Sequence, residues 1–412
     1  MYAHAVSLRV RRTVAIAVIG MAALFAFVAC TQRAEAKVKG QATVTKGPKG
    51  LKFYKPPKDI PKRHGSLIWA RNATGLVKLQ DARSTKLVLY SSRTTQGAKD
   101  AISGSVSVPK GKPPKGGWPV ITWAHGTTGV ADICAPSRDG LDPSAITGET
   151  YINGDLNAWL RAGYAVLRTD YEGLGTPGKH PYLIGTSEGR SVVDIVAAAR
   201  QLDPNISKRY LISGHSQGGH AALFAAGLAS SWQPKLKLRG TVAFAPASHI
   251  LDQASFLPGL TSPSSLTALA TLILDGASTQ SSAINVNALL SDEVLQFYPL
   301  LQSQCLGRLG QSDELGGIPP SHLERSGADL SALNPVLAAM NPAVKTAAPI
   351  LIPQGESDTT VYPFLTKQLT DELVGLGDQV TYKTYPGIDH VGVVTAGEAD
   401  ALAFFQQLLP PR

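Results

Sequence analysis

The sequence predicts an α/β protein in which a mainly parallel sheet is covered by helices on both faces. Three observations carry that reading. Apolar runs of strand length alternate with helix-spaced segments from residue 117 to the end of the chain. Residues 117–124 and 350–354 are apolar at nearly every position, as strands buried on both faces are. Residues 210–222, YLISGHSQGGHAA, pass from a β-rich run through a glycine-flanked serine straight into a small-residue helix pattern. At 412 residues, with 43% hydrophobic content, the chain can bury a large core.

The chain begins outside the sheet. Arg9, Arg11 and Arg12 precede an uncharged, mostly apolar run over residues 13–32, and Ala34-Glu35-Ala36 offers a small-residue cleavage site. Residues 1–36 therefore read as an export signal. A retained transmembrane anchor competes with that reading, because the run approaches spanning length. Residues 27–30 also resemble a bacterial lipobox, which would make Cys30 a lipidated cysteine and tether the protein. Residues 37–64 are rich in lysine and proline, and are expected to form a poorly ordered linker or tail, a solvated spacer on the plainer reading and a contact with a cell-envelope or membrane surface on the alternative one. The formal net charge is +9, but residues 1–36 carry +3 and residues 37–64 carry +8, leaving −2 for the rest. The folded part is nearly neutral, and no nucleic-acid partner is expected.

The domain itself is expected over residues 65–410. Residues 66–71, 86–93 and 102–108 alternate in polarity and give an antiparallel entry to the sheet. The buried strand 117–124 ends in a glycine-containing loop, His125–Gly129 in sequence. Helix 153–162, strand 164–169, helix 189–202 and the central strand ending at Ser213 follow. Helix 220–229 and strand 238–245 come next. The alternation then resumes at strand 350–354, helix 363–374, strand 380–385 and helix 397–409. Residues 248–349 break the rhythm with short helical runs, such as 266–274 and 282–290. A block of that length reads as a helical insertion rather than a loop.

The chemistry centres on Ser216 in Gly214-His215-Ser216-Gln217-Gly218. A serine hydroxyl at a strand–turn–helix apex needs a base to take its proton and an acid to hold that base. Asp358 lies on the loop after strand 350–354, and His390 on the loop after strand 380–385. All three then project from one edge of the sheet, in the chain order serine, acid, histidine. Glu356 and Asp389 compete for the acid role, while His215 and His220 read as packing or turn residues. The Gln217 N–H at the helix start is one expected oxyanion donor. The Thr127 N–H, with Thr128 next to it, is the other. No group of His, Cys and acidic residues has metal-ligand spacing, and no dinucleotide motif follows a strand, so neither metal nor cofactor is expected. Cys134 and Cys305, an even pair in an exported chain, are expected to form one disulfide, the alternative being two buried thiols.

Several motifs resemble the secretory lipases of the α/β-hydrolase superfamily. They are WAHGTTG (123–129), CAPS (134–137), GYAVLRTDYEGLG (163–175), HPYLIG (180–185), GHSQGG (214–219), GESDTTVYP (355–363) and GIDHVG (387–392). The resemblance implies an α/β-hydrolase fold with a lid at about 248–349 and a secreted enzyme that hydrolyses lipid or other acyl esters. It gives no role to residues 37–64. A cell-envelope acyltransferase, a peptidase or amidase on the same triad, and a non-catalytic scaffold are the alternatives. Apolar residues of the insertion, from Leu251 and Phe256 to Leu274, are expected to pack its own core and in part to line an acyl pocket.

Overall fold

The computed structural model describes residues 44–139, 141 and 147–411, and within them nine strands form one sheet. They are β1 (Leu67–Asn72), β2 (Ala82–Arg93), β3 (Lys99–Pro109), β4 (Trp118–Ala124), β5 (Ala165–Thr169), β6 (Ile206–His215), β7 (Lys237–Phe244), β8 (Ile350–Gly355) and β9 (Val380–Tyr385). Their spatial order is β1-β2-β3-β5-β4-β6-β7-β8-β9. The first three strands pair antiparallel with one another, and β3 with β5. From β5 to β9 every pairing is parallel. Residues 1–36, expected to be an export signal, with Cys30, and residues 37–43 lie outside the described residues.

The long helices are α1 (Asn153–Arg161), α2 (Gly185–Leu202), α3 (Gln217–Trp232), α5 (Leu266–Ala277), α10 (Pro363–Gly375) and α11 (Gly392–Leu408). Shorter ones are α4 (Ile250–Ala254), α6 (Val286–Leu289), α7 (Asp292–Leu295), α8 (Leu306–Leu309) and α9 (Asn334–Ala339). Among the described residues, no helix is long and apolar enough to cross a membrane. The two-residue period of the strands explains why both sheet faces need cover. Val120 and Ala124 of β4, with Tyr210 and Ile212 of β6, pack against Val192, Ile195, Ala221 and Ala225 of α2 and α3. The intervening Ile121, Trp123 and Leu211 point the other way, onto Trp159 of α1 and Phe405 of α11.

Residues 44–64 correct the expectation of a loose linker or tail. They pack along the antiparallel edge, where Lys46 bridges to Ala70 and a short 3-10 turn, Gly50–Tyr54, buries Phe53 and Tyr54. Tyr54 donates from its hydroxyl to the Ser137 carbonyl at 2.7 Å, and His64 pairs through Nδ1 with buried Asp194 at 2.7 Å. Two aromatic rings and one histidine anchor a segment whose composition is otherwise that of a solvated strap.

The insertion between β7 and β8 is helical, as expected, and among its described residues the only β pairing is an isolated Leu290–Glu324 bridge. Its apolar core, built from Leu272, Leu290, Val294, Leu301, Leu309 and Leu315, is continuous with Val130, Tyr182, Leu183 and Ile184 outside the insertion. Discrete contacts tie it to the sheet domain. Cys305 is disulfide-bonded to Cys134, and Leu306 donates its N–H to the Thr128 carbonyl at 2.8 Å. Lys179 reaches buried Asp275 at 2.8 Å, and His249 reaches Glu372 of α10 at 3.0 Å.

Candidate active site

β6 ends at His215, and the chain turns at once into α3 with Ser216 between them. Ser216 has φ 58° and ψ −118°, a left-handed backbone that side chains rarely adopt. The turn closes because Gly214 and Gly218, two residues to either side, have no side chains. A Cβ on Gly214 would stand 2.1 Å from the Gly218 carbonyl oxygen, and one on Gly218 1.9 Å from that of Ala124. Both spacings are impossible for any other residue, so the glycines of the pentapeptide follow from backbone contact.

Two strand-end loops bring their side chains to this serine. His390 Nε2 lies 2.9 Å from Ser216 Oγ, and His390 Nδ1 lies 2.7 Å from Asp358 Oδ2. Nδ1 faces a carboxylate and so carries the proton, which leaves Nε2 to accept from the serine hydroxyl. Asp358 is 3% exposed, and its Oδ1 accepts from the Thr360 and Val361 N–H groups, both at 2.8 Å. Burial pushes this carboxyl up, but the His390 contact and those two N–H groups outweigh it and hold the group below its ordinary value of 3.8. The rival acids sit elsewhere. Glu356 is exposed and accepts from Thr384 Oγ1, while exposed Asp389 accepts the Gly392 N–H at 2.8 Å, at the start of α11.

The backbone N–H groups of Gln217 and Thr127 have no acceptor among the described residues. Thr127 lines the same cavity as Ser216, whereas Thr128 does not, and its carbonyl is held by Leu306. That cavity, about 110 Å³ in volume, is walled mostly by apolar side chains of the insertion, among them Leu257, Leu269, Ile273 and Leu337. Leu272, in contrast, is 0% exposed in the core of the insertion. Among the described residues no group of His, Cys, Asp and Glu could hold a metal ion.

His215 does more than fill the turn. Its Nε2 donates to the His390 carbonyl at 2.8 Å, its Nδ1 accepts from the Tyr151 hydroxyl at 2.8 Å, and its ring lies 4.6 Å from that of His390. Burial, and then the nearby His390, push His215 down to about 3, so the ring is neutral and keeps the tautomer this bridge needs. Its position beside the serine was the only signal in the sequence. Gln354 of β8, whose Nε2 donates to Asp358 Oδ2 at 3.1 Å, carried none.

The family model for the secretory lipases matches residues 147–286. Lipase A of Moesziomyces aphidis is 29% identical over 217 residues, 50% of this chain and 45% of that protein. The match thus spans less than half of the relative's length. Candida antarctica lipase A in its closed state superposes with a TM-score of 0.71 at 20% identity, covering 86% of this chain and 84% of that one. The rice cell wall degrading esterase LipA from Xanthomonas oryzae gives 0.68 at 18% identity, covering 85% of this chain and all (100%) of that one. The fold is that of the α/β-hydrolases, and the family this chain resembles, in its motifs, its matched segment and its relative, is the secretory lipases.

Proposed function

We propose that this chain is a serine hydrolase of carboxylic esters, a lipase or esterase acting through Ser216, His390 and Asp358. The carrying observation is the continuous hydrogen-bonded line from Ser216 Oγ through the His390 ring to Asp358, opening on an apolar cavity. Ser216 Oγ attacks the ester carbonyl carbon as its proton passes to His390 Nε2. The oxyanion accepts from the Gln217 and Thr127 N–H groups, and Asp358 stabilises the imidazolium. The carbon–oxygen bond to the alcohol breaks, the alcohol leaves with the proton from His390, and the acyl group stays on Ser216. Water then attacks the acyl carbon, giving a proton to His390; the bond to Ser216 Oγ breaks as that proton returns to Oγ, and the acid departs. The apolar wall from the insertion suits an acyl chain, which makes residues 248–349 the lid or cap of the site. Ser216→Ala is expected to lower p-nitrophenyl ester turnover by about 10⁶-fold with an unchanged melting temperature. Undiminished turnover would refute the assignment.

The likeness to secretory lipases supports export, with residues 1–36 as the signal. Fractionation of the full-length protein tests it, and a cytoplasmic, full-length product would count against it. We also propose that the packed strap contacts an anionic cell-envelope surface. Lys46, Lys49, Lys52, Lys55 and Lys58 recur every third residue, are exposed, and have no ion-pair partner among the described residues. Changing these five to glutamine should abolish salt-sensitive retention on envelope preparations while leaving ester hydrolysis intact. Equal retention would overturn the proposal.

A further inference from the structure

Beneath the candidate oxyanion donors lies a buried carboxylate that the hydrolytic mechanism does not use. Glu188, in the first turn of α2, is 0% exposed. Its Oε1 accepts from the Leu183 N–H at 2.9 Å and from Gln217 Nε2 at 2.7 Å, and its Oε2 meets His220 Nδ1 at 2.9 Å. His220 is equally buried, and its Nε2 faces the Met340 carbonyl at 3.0 Å. A carbonyl only accepts, so Nε2 carries a proton. Glu188 thus has hydrogen-bond partners at both carboxylate oxygens, which is how a carboxylate tolerates this depth. His180 completes the set. Its Nδ1 donates to the Glu172 carbonyl at 2.8 Å, which leaves Nε2 to accept from Gln217 Nε2 at 3.2 Å.

Both oxyanion residues are tethered to this carboxylate. Gln217 is bound to it directly, with both amide hydrogens engaged, so the residue whose N–H faces the reacting carbonyl cannot swing. Thr127 is bound through the neighbouring turn. Leu183 sits in the left-handed region with φ 58°, and Glu188 holds its N–H. The adjacent Tyr182 meets Thr127 Oγ1 through its hydroxyl at 2.6 Å. One side chain thus fixes two backbone donors that come from two different strand-end loops, β4's and β6's. We propose that Glu188 is the positioning residue of the oxyanion site, setting the spacing between the Gln217 and Thr127 N–H groups. This rests on the reading of Ser216 as nucleophile.

A site whose two donors are held apart at a spacing suited to oxygen discriminates against sulfur, because the larger, weaker acceptor fits it poorly. The test compares an ester with the matching thionoester, in which the carbonyl oxygen alone is replaced. Glu188→Gln keeps the shape and one acceptor but offers an amide to His220. It is expected to lower kcat for the ester by 10- to 100-fold with KM changed less than 3-fold. It should also shrink the ester-to-thionoester ratio of kcat/KM at least 5-fold, both counted per titrated serine. Tyr182→Phe, which cuts only the Thr127 tether, should shrink the ratio about 2-fold, and carries the test alone if Glu188→Gln does not fold. A purely structural role lowers both substrates equally and leaves the ratio unchanged, which would overturn the proposal. If the unaltered protein turns over neither substrate, the hydrolase reading itself fails instead.

Discussion

The serine turn and the insertion above it are built on opposite principles. At the turn, geometry is enforced by backbone against backbone, with Gly214 and Gly218 pressed onto neighbouring carbonyls and Ser216 held at a left-handed φ. In the insertion, apolar side chains of ordinary size form a cluster that runs on into Val130, Tyr182, Leu183 and Ile184 of the sheet domain, with one disulfide and a few polar contacts beside it. The first arrangement admits no side chain at Gly214 or Gly218. The second accepts repacking at constant volume, as apolar cores do. Chemistry needs the first, and a wall for acyl groups of differing shape is better served by the second.

The largest effect should come from breaking this contrast at its sharpest point. Gly218→Ala puts a methyl 1.9 Å from the Ala124 carbonyl oxygen, at the end of a fully buried strand. The expected cost is about 4 kcal/mol or more, read as loss of soluble protein or a steep fall in melting temperature. The matching change in the insertion, Gly259→Ala, meets nothing within 4 Å and should stay within about 0.5 kcal/mol. Equal costs at the two glycines would show that the turn is not backbone-locked.

A middle-sized effect should follow from cutting the tie between the two regions. The Cys134–Cys305 bond closes a separation of 171 residues and lies behind the loop that bears Thr127, with a Cβ on Gly129 only 2.9 Å from Cys134 Sγ. The double change Cys134→Ser, Cys305→Ser is expected to cost about 2–5 kcal/mol in thermal unfolding. The same loss should appear on adding reductant to the unaltered protein, and not on adding it to the variant. A variant that still responds to reductant would mean that another bond carries the effect.

How much of this was legible beforehand follows the same divide. The convergence of Ser216, Asp358 and His390 was legible because each follows a strand, and a strand announces itself through a two-residue period and β-branched residues. Strand β9 matched its expected bounds, and β4 and β8 differed by one residue at one end. The bounds of α2 were missed by four residues, since Gly185 and Gly189 weaken the helical pattern where Glu188 sits. Glu188 itself looks like any first-turn acid, favourable near a helix N-terminus and usually solvated. Only the three-dimensional approach of α3 makes it a hub. Residues 44–64 misled for the converse reason: lysine and proline dominate the composition, while Phe53, Tyr54 and His64 decide the packing.

The smallest effect separates two buried aspartates of the same domain by the sign of their pH dependence. Asp358 is surrounded by donors and held below 3.8, so its contribution to stability is full above that value and lost as pH falls through its folded value. Asp155 of α1 is 8% exposed, and burial, reinforced by Glu398, raises it from 3.8 to about 7. Its protonated form is the one the fold favours. The contribution is therefore full below 3.8 and lost as pH rises through about 7. Asp155→Asn keeps the shape and removes the charge, so it should raise the melting temperature at pH 9 and leave it nearly unchanged at pH 4. Asp358→Asn should do the reverse at pH 9, lowering stability as well as turnover, because an amide cannot accept from His390 and both backbone N–H groups as a carboxylate does. A stabilising Asp358→Asn at pH 9 would mean that the donors around it do not outweigh its burial.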